Sequence, residues 1–87
     1  GRGPMPVQIR YKLVELMREW EQMYGYHEGW LTYKKLSDMS GVHAITLNKI
    51  ANNKTSQIEH ETLRKILEFF NCQIGDLIET AIEAPHE

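Results

Sequence analysis

The sequence predicts an all-α domain of five helices, and three observations carry that expectation. Apolar residues return at three- and four-residue steps over most of the chain, the period of an amphipathic helix. Glycine or asparagine punctuates these runs at Gly25, Gly41, Asn53 and Asn71, where helices are expected to stop. No run alternates at period two for long enough to argue a sheet. At 87 residues, 41% hydrophobic and 25% charged, the chain has the size and composition of one globular domain.

Gly1-Arg2-Gly3-Pro4 before Met5 has the look of a cloning remnant, so the domain is placed at 5–80. From Val7 to Tyr24 the residues Ile9, Leu13, Leu16, Met17, Trp20 and Tyr24 recur at helical steps, and Pro6 suits a helix start. The stretch EQMYGYHEGW follows, with Gly25 and Gly29 as breakers and Trp20, Tyr24, Tyr26 and Trp30 crowded together. Two readings are open: an extended first helix whose aromatics cap a small core, or an exposed aromatic patch for a partner subunit or ligand.

The chain is organised around Leu31 to Lys54. Leu36, Leu47 and Ile50 can face one core, Ser37 is small where two helices would cross, and Gly41 stands where the chain must turn sharply. Only glycine enters the left-handed region without a side-chain clash. Thr32 can cap a helix running to Met39, and a second helix spans Ala44 to Ala51. A helix held in this way with one face bare has the geometry that enters a DNA major groove.

Asn52-Asn53-Lys54 ends that helix, and Asn53 is tolerated in a left-handed cap. After a polar loop from Lys54 to Gln57, Ile58 re-enters the core and a fourth helix is expected over 60–70, with Leu63, Ile66, Leu67 and Phe70 inward. Asn71 stops it. Ile74, Leu77 and Ile78 mark a fifth helix over 74–80, and 81–87 reads as a frayed tail. Leu36, Leu47, Ile50, Leu63, Leu67 and Leu77 are the expected common core. A core this small leaves apolar surface for a second copy to cover, through the aromatic insert or the fifth helix.

The net charge of -2 is unevenly spread. Residues 31–56 hold four lysines, Lys34, Lys35, Lys49 and Lys54, against Asp38 alone, whereas residues 57–87 carry two basic side chains against seven acidic ones. Positive charge thus gathers on the central stretch. The single cysteine, Cys72, forbids an intrachain disulfide and fits a reducing cytoplasm, and no apolar run is long enough to span a membrane. Enzyme signatures are missing. His60-Glu61-Thr62-Leu63-Arg64 begins like a zinc-protease helix but has Arg64 where the second histidine is needed, and there is no glycine-rich phosphate loop. Neither a metal set nor a cofactor is expected.

The pattern Leu36, Ser37, Gly41, Leu47 and Ile50, followed by HETLRKILEFF and NCQIGDLIE, resembles the helix-turn-helix of the Cro/C1-type (XRE) DNA-binding family, to which lambda-like phage repressors belong. The resemblance runs from Val7 to about Thr80 and implies a five-helix DNA-binding domain with an extended first helix or aromatic insert before the motif. It implies a homodimer that binds double-stranded DNA and regulates transcription, each copy reading one half-site. Carried over by position, it places base contact on Ala44, Ile45, Asn48 and Lys49. Phosphate contact falls on Thr32, Tyr33, Lys34, His43, Thr46, Asn52, Lys54, Thr55 and Ser56. Lys49 can donate to guanine and Asn48 can pair with adenine, but Ala44 and Ile45 offer only apolar contact to thymine methyl groups where phage repressors commonly carry glutamine. His43 stands where serine or threonine often caps. Ala51 replaces an acid that in many relatives pairs with a first-helix arginine, which leaves Arg10 for phosphate or solvent. These departures keep a second reading open, a protein-interaction module that retains the fold without tight DNA binding.

Overall fold

Leu13 opens the first helix, six residues later than the apolar spacing implies. The computed structural model describes residues 6–82, so the expected cloning remnant at 1–4 and residues 83–87 of the expected tail lie outside the described residues. Val7–Tyr11 forms a strand, β1, that pairs antiparallel with β2, Ile78–Ile82, in the register Val7↔Ile82, Ile9↔Thr80, Tyr11↔Ile78. The described residues are therefore mixed, with five helices and a two-stranded sheet, and the all-α expectation is corrected.

The reason is partner-dependent. Val7-Gln8-Ile9-Arg10-Tyr11 and Ile78-Glu79-Thr80-Ala81-Ile82 each alternate apolar or β-branched with polar or small residues, which suits a strand. Five residues are too few to distinguish from a helical run that happens to continue into Leu13 and Leu16. Only pairing across nearly the whole chain decides between them. The same pairing shortens the fifth helix to the single turn Ile74–Leu77 and takes Ala81 and Ile82, placed in the tail by sequence, into β2. Arg10 is not left free. It sits on β1, donates to Glu79 at 2.8 Å and reaches Glu15 at 2.9 Å, and these two carboxylates raise its pKa further.

The helices are α1 Leu13–Tyr24, α2 Tyr33–Ser40, α3 Ala44–Ala51, α4 His60–Phe70 and α5 Ile74–Leu77. Their ends follow the residues expected to stop them. Gly25 and Gly41 close α1 and α2 in the left-handed region at φ 79° and 83°, while Asn71 does the same for α4 at φ 49°. The core gathers Leu13, Leu16, Met17, Leu31, Leu36, Val42, Leu47, Ile50, Ile66 and Leu77. Leu63 and Leu67, expected at its centre, are only partly buried against it, because the α4 stripe turns Ile66 fully inward instead.

Between α1 and α2 the chain is held by a buried carboxylate. Glu21, 1% exposed, accepts the N–H groups of Gly29 at 3.1 Å and Leu31 at 2.6 Å. Arg18 pairs with it at 3.4 Å and also donates to the Leu31 carbonyl at 3.2 Å. The aromatic insert then stacks on this frame: Trp20 lies within 6.0 Å of Tyr26, Trp30 and Phe69, and Tyr26 stacks on Trp30 at 3.9 Å. Trp20 and Trp30 pack against the core, while Tyr24 and Tyr26 keep exposed edges. The insert is thus mainly a structural clasp between α1 and the end of α4.

Two consequences can be measured. Leu47→Ala, which empties a fully buried site, is expected to lower unfolding stability by about 2–5 kcal/mol in chemical denaturation; a near-neutral result would displace this core. Burial pushes the Glu21 carboxyl up, but the N–H groups of Leu31 and Gly29 and the charge of Arg18 outweigh it and hold the group below the usual carboxylate range. A depressed carboxylate stabilises the fold above its unfolded pKa and loses that contribution as pH falls through the folded value. The thermal midpoint should accordingly drop below about pH 4, and Glu21→Gln should lose less of its midpoint on acidification than the wild type. Parallel curves for the two proteins would remove Glu21 from this account.

Candidate nucleic-acid interface

Thr32 sets the start of α2. Its hydroxyl oxygen accepts the Lys35 N–H at 3.2 Å, leaving the other N–H groups of the first turn, next to Tyr33 and Lys34, at the positive end of the helix dipole. Gly41 then donates to the Ser37 carbonyl, and Val42 is buried as the chain turns into α3. His43 occupies the cap position of α3 but makes no side-chain capping bond.

On α3, Leu47 and Ile50 face the core and Ala51 is partly buried beside them. The opposite face carries Ile45, Asn48, Lys49 and Asn52, all exposed, with Ala44 and Thr46 half-buried at its margins. Ile45 is 72% exposed and so does not serve the domain's own packing. The Asn52 amide donates to the Asn48 backbone carbonyl at 2.8 Å and to its side-chain oxygen at 3.1 Å. That bond holds the Asn48 side chain on the helix surface and leaves its NH₂ as the group it offers outward.

One flank of α3 borders a cleft of about 430 Å³ that brings together His43, Thr46, Lys49 and Thr55 from the sequence-derived set. It also recruits Gln57 and Lys65, which sequence reasoning missed. Lys65 lies on α4, far from the motif, and its amino group comes within 3.5 Å of the Gly41 carbonyl at the α2–α3 turn. No spacing rule in the sequence connects these two residues. Glu59 and Glu61 also line the cleft, which tempers its positive character, and Arg64 holds Glu61 below the usual carboxylate range. The Thr55 hydroxyl is engaged within its own loop, donating to the Gln57 carbonyl at 2.5 Å. Thr32, Tyr33 and Lys34 stand apart at the start of α2, and Asn52, Lys54 and Ser56 lie exposed after α3. Lys35, counted among the positive charges of this region, places its amino group 4.0 Å over the Trp30 ring.

The end of α3 is tied to the sheet. Asn53 adopts φ 56°, and its side-chain oxygen accepts the Tyr11 N–H at 2.9 Å. The asparagine that terminates the helix therefore also positions β1, a contact with no counterpart in the sequence pattern. Cys72 is half-buried against the core, with burial pushing its thiol up, away from nucleophilic chemistry. Among the described residues, no helix is long and apolar enough to cross a membrane and no group of three acidic, histidine or cysteine residues is placed to hold a metal ion.

The family model of the Cro/C1-type HTH DNA-binding domain matches residues 27–81, well over half of the chain and all of α2 through α5. That family is one of DNA-binding domains, not of enzymes. No curated protein and no solved structure gives a significant match.

Asn53 offers a clean test of the link between helix and sheet. Asn53→Gly keeps the left-handed backbone but removes the bond to Tyr11, and should cost about 1 kcal/mol. Asn53→Ala adds a left-handed penalty of about 1 kcal/mol or more, so its unfolding midpoint should lie below that of the glycine variant. Equal stability of all three proteins would show that the contact contributes nothing.

Proposed function

This chain belongs to the Cro/C1-type helix-turn-helix DNA-binding family, and from that premise we propose that it acts in the cytoplasm as a homodimeric transcriptional regulator. In this reading α3 lies in the major groove of double-stranded DNA, one copy to each half-site. The observation that carries it is the outward face of α3: Asn48 and Lys49 are exposed hydrogen-bonding side chains on a helix whose other face is locked into the core. Ala44 and Ile45 supply apolar contact to thymine methyl groups beside them. Thr32, Tyr33 and Lys34 at the α2 start, with His43, Thr46, Asn52, Lys54, Thr55 and Ser56 around α3, supply contacts to the flanking phosphates. The lysines of residues 31–56 favour DNA on this side, and the acidic surplus of residues 57–87 lies in the segment that follows.

One observation favours the alternative of a protein-interaction module. Ile45, the most outward apolar side chain of α3, is an unusual choice for a surface that reads base edges by hydrogen bonds. The two readings separate in a binding experiment with random-sequence and selected duplexes over a salt series. The DNA reading expects affinity that falls linearly on a logarithmic salt scale. Lys49→Ala should cost about 1–3 kcal/mol on the preferred duplex and relax its sequence preference. Lys54→Ala should weaken all duplexes alike and lower the salt slope by about 1. Wild-type protein with no salt-sensitive affinity for any duplex would hand the fold to the interaction-module reading.

A further inference from the structure

A second cleft, of about 400 Å³, lies between α1 and the corner where α4 passes into α5. It shares no residue with the cleft beside α3, and none of the side chains proposed to touch DNA lines it. Its volume falls in the range of small-molecule sites. One wall is a stripe of α1, where Glu15, Leu16, Glu19, Trp20 and Met23 recur at helical steps. The other wall begins with Phe69 and Phe70, the last residues of α4. Asn71 then turns the chain through the left-handed region, which brings Cys72 and Asp76 to the same opening.

Aromatic rings and carboxylates meet in this cleft. The Trp20 ring centroid lies 4.8 Å from Tyr24 and 5.6 Å from Phe69, and Phe70 stands edge-on to Phe69 at 4.9 Å. The faces of such rings carry partial negative charge. Around them the carboxylates of Glu15, Glu19 and Asp76 stand against one cation, Lys12. Their charges are not equally available. Glu15 is paired with Arg10 at 2.9 Å. Arg10, and more weakly Lys12, hold the Glu79 carboxyl below the usual carboxylate range, so the Lys12 charge is shared with the two-stranded ribbon of β1 and β2. Asp76 accepts the Gln73 N–H at 2.9 Å, but neither it nor Glu19 forms an ion pair among the described residues. Both act on one point of the cleft: burial pushes the Cys72 thiol up, and the charges of Asp76 and Glu19 push it further.

We propose that this cleft binds a small organic cation, an ammonium group on an apolar body, held by the rings of Trp20, Tyr24, Phe69 and Phe70 and by the carboxylates of Glu19 and Asp76. An ammonium group satisfies both kinds of wall at once, since ring faces and carboxylates attract it alike. An anion would be repelled by both, and a neutral apolar molecule would gain nothing from the carboxylates. A bare divalent metal ion needs several oxygen ligands at close range, and among the described residues no group of three acidic, histidine or cysteine side chains is placed to hold one. The site stands apart from the reading of DNA by α3 and holds whether or not that reading does.

An NMR titration of the full chain with benzyltrimethylammonium tests this, with benzyl alcohol as the neutral comparison and benzoate as the anion. The cation should shift the Trp20 indole N–H and the amides of Cys72 and Asp76 saturably, with a dissociation constant in the millimolar range or below. Benzoate should move none of them, and benzyl alcohol should bind at least about threefold more weakly than the cation. Glu19 and Tyr24 are exposed, so Glu19→Gln and Tyr24→Leu should keep the circular dichroism of the wild type while each weakens the cation by about threefold or more. Glu19→Lys should abolish saturation, and with Glu19→Gln it carries the test if Tyr24→Leu disturbs the fold. A cation that leaves these signals unsaturated overturns the proposal, as does benzyl alcohol that binds equally well. Folded Glu19 variants that bind the cation like the wild type overturn it too.

Discussion

A buried carboxylate anchors the chain's central motif. Glu21 is almost fully removed from water, yet burial does not neutralise it, because two backbone N–H groups and the Arg18 guanidinium favour its charged form. Those two donors belong to Gly29 and Leu31, the residues that deliver the chain to the Thr32 cap. The carboxylate thereby sets where α2 begins, α2 sets the angle of the Gly41 turn, and the turn sets which face of α3 remains bare. Arg18 closes the same frame from the other side by binding the Leu31 carbonyl. The aromatic rings of Trp20, Tyr26, Trp30 and Phe69 stack beside it and tie α1 to Phe69 of α4.

The exposed side of α3 shows a division of labour among neighbours. Leu47 and Ile50 anchor the helix while Asn52 steadies Asn48, so the outward groups are presented by a surface with little freedom left to lose. Lys49 differs in kind, as a point charge on a flexible stem bordering a cleft that contains both Lys65 and the acids Glu59 and Glu61. The positive field of this region is local, and Lys35 contributes to it from its place over Trp30. A chain with a net charge of -2 can still present a basic face, because fields at contact distance are set by the nearest few charges.

How the helix-turn-helix could be anticipated, and the ribbon not, follows from the range over which each is decided. Thr32, Gly41, Asn53 and Asn71 act on backbone within a few residues of themselves, and each does in the structure what its chemistry implies. Leu36, Leu47 and Ile50 meet because one turn joins their helices. Arg10 is the contrary case. Its chain neighbours Ile9 and Leu13 continue a helical spacing, and nothing nearby announces Glu79, its partner from the far end of the chain. The same blindness covers Lys65 beside the Gly41 carbonyl and Tyr11 on Asn53, both made by residues distant in sequence.

The sequence by itself determined the central pair of helices, the Thr32 cap and Gly41 turn that frame the first of them, the extent of α4 and the family to which the chain belongs, because each rests on local backbone preference or on spacing along the chain. Tertiary structure alone decided that Val7–Tyr11 and Ile78–Ile82 are strands, that α5 is one turn, and that Glu21 is buried with its charge intact. A five-residue segment carries too little preference of its own to choose between helix and strand. The hydrogen bonds that make the choice exist only once both ends of the chain have been brought together.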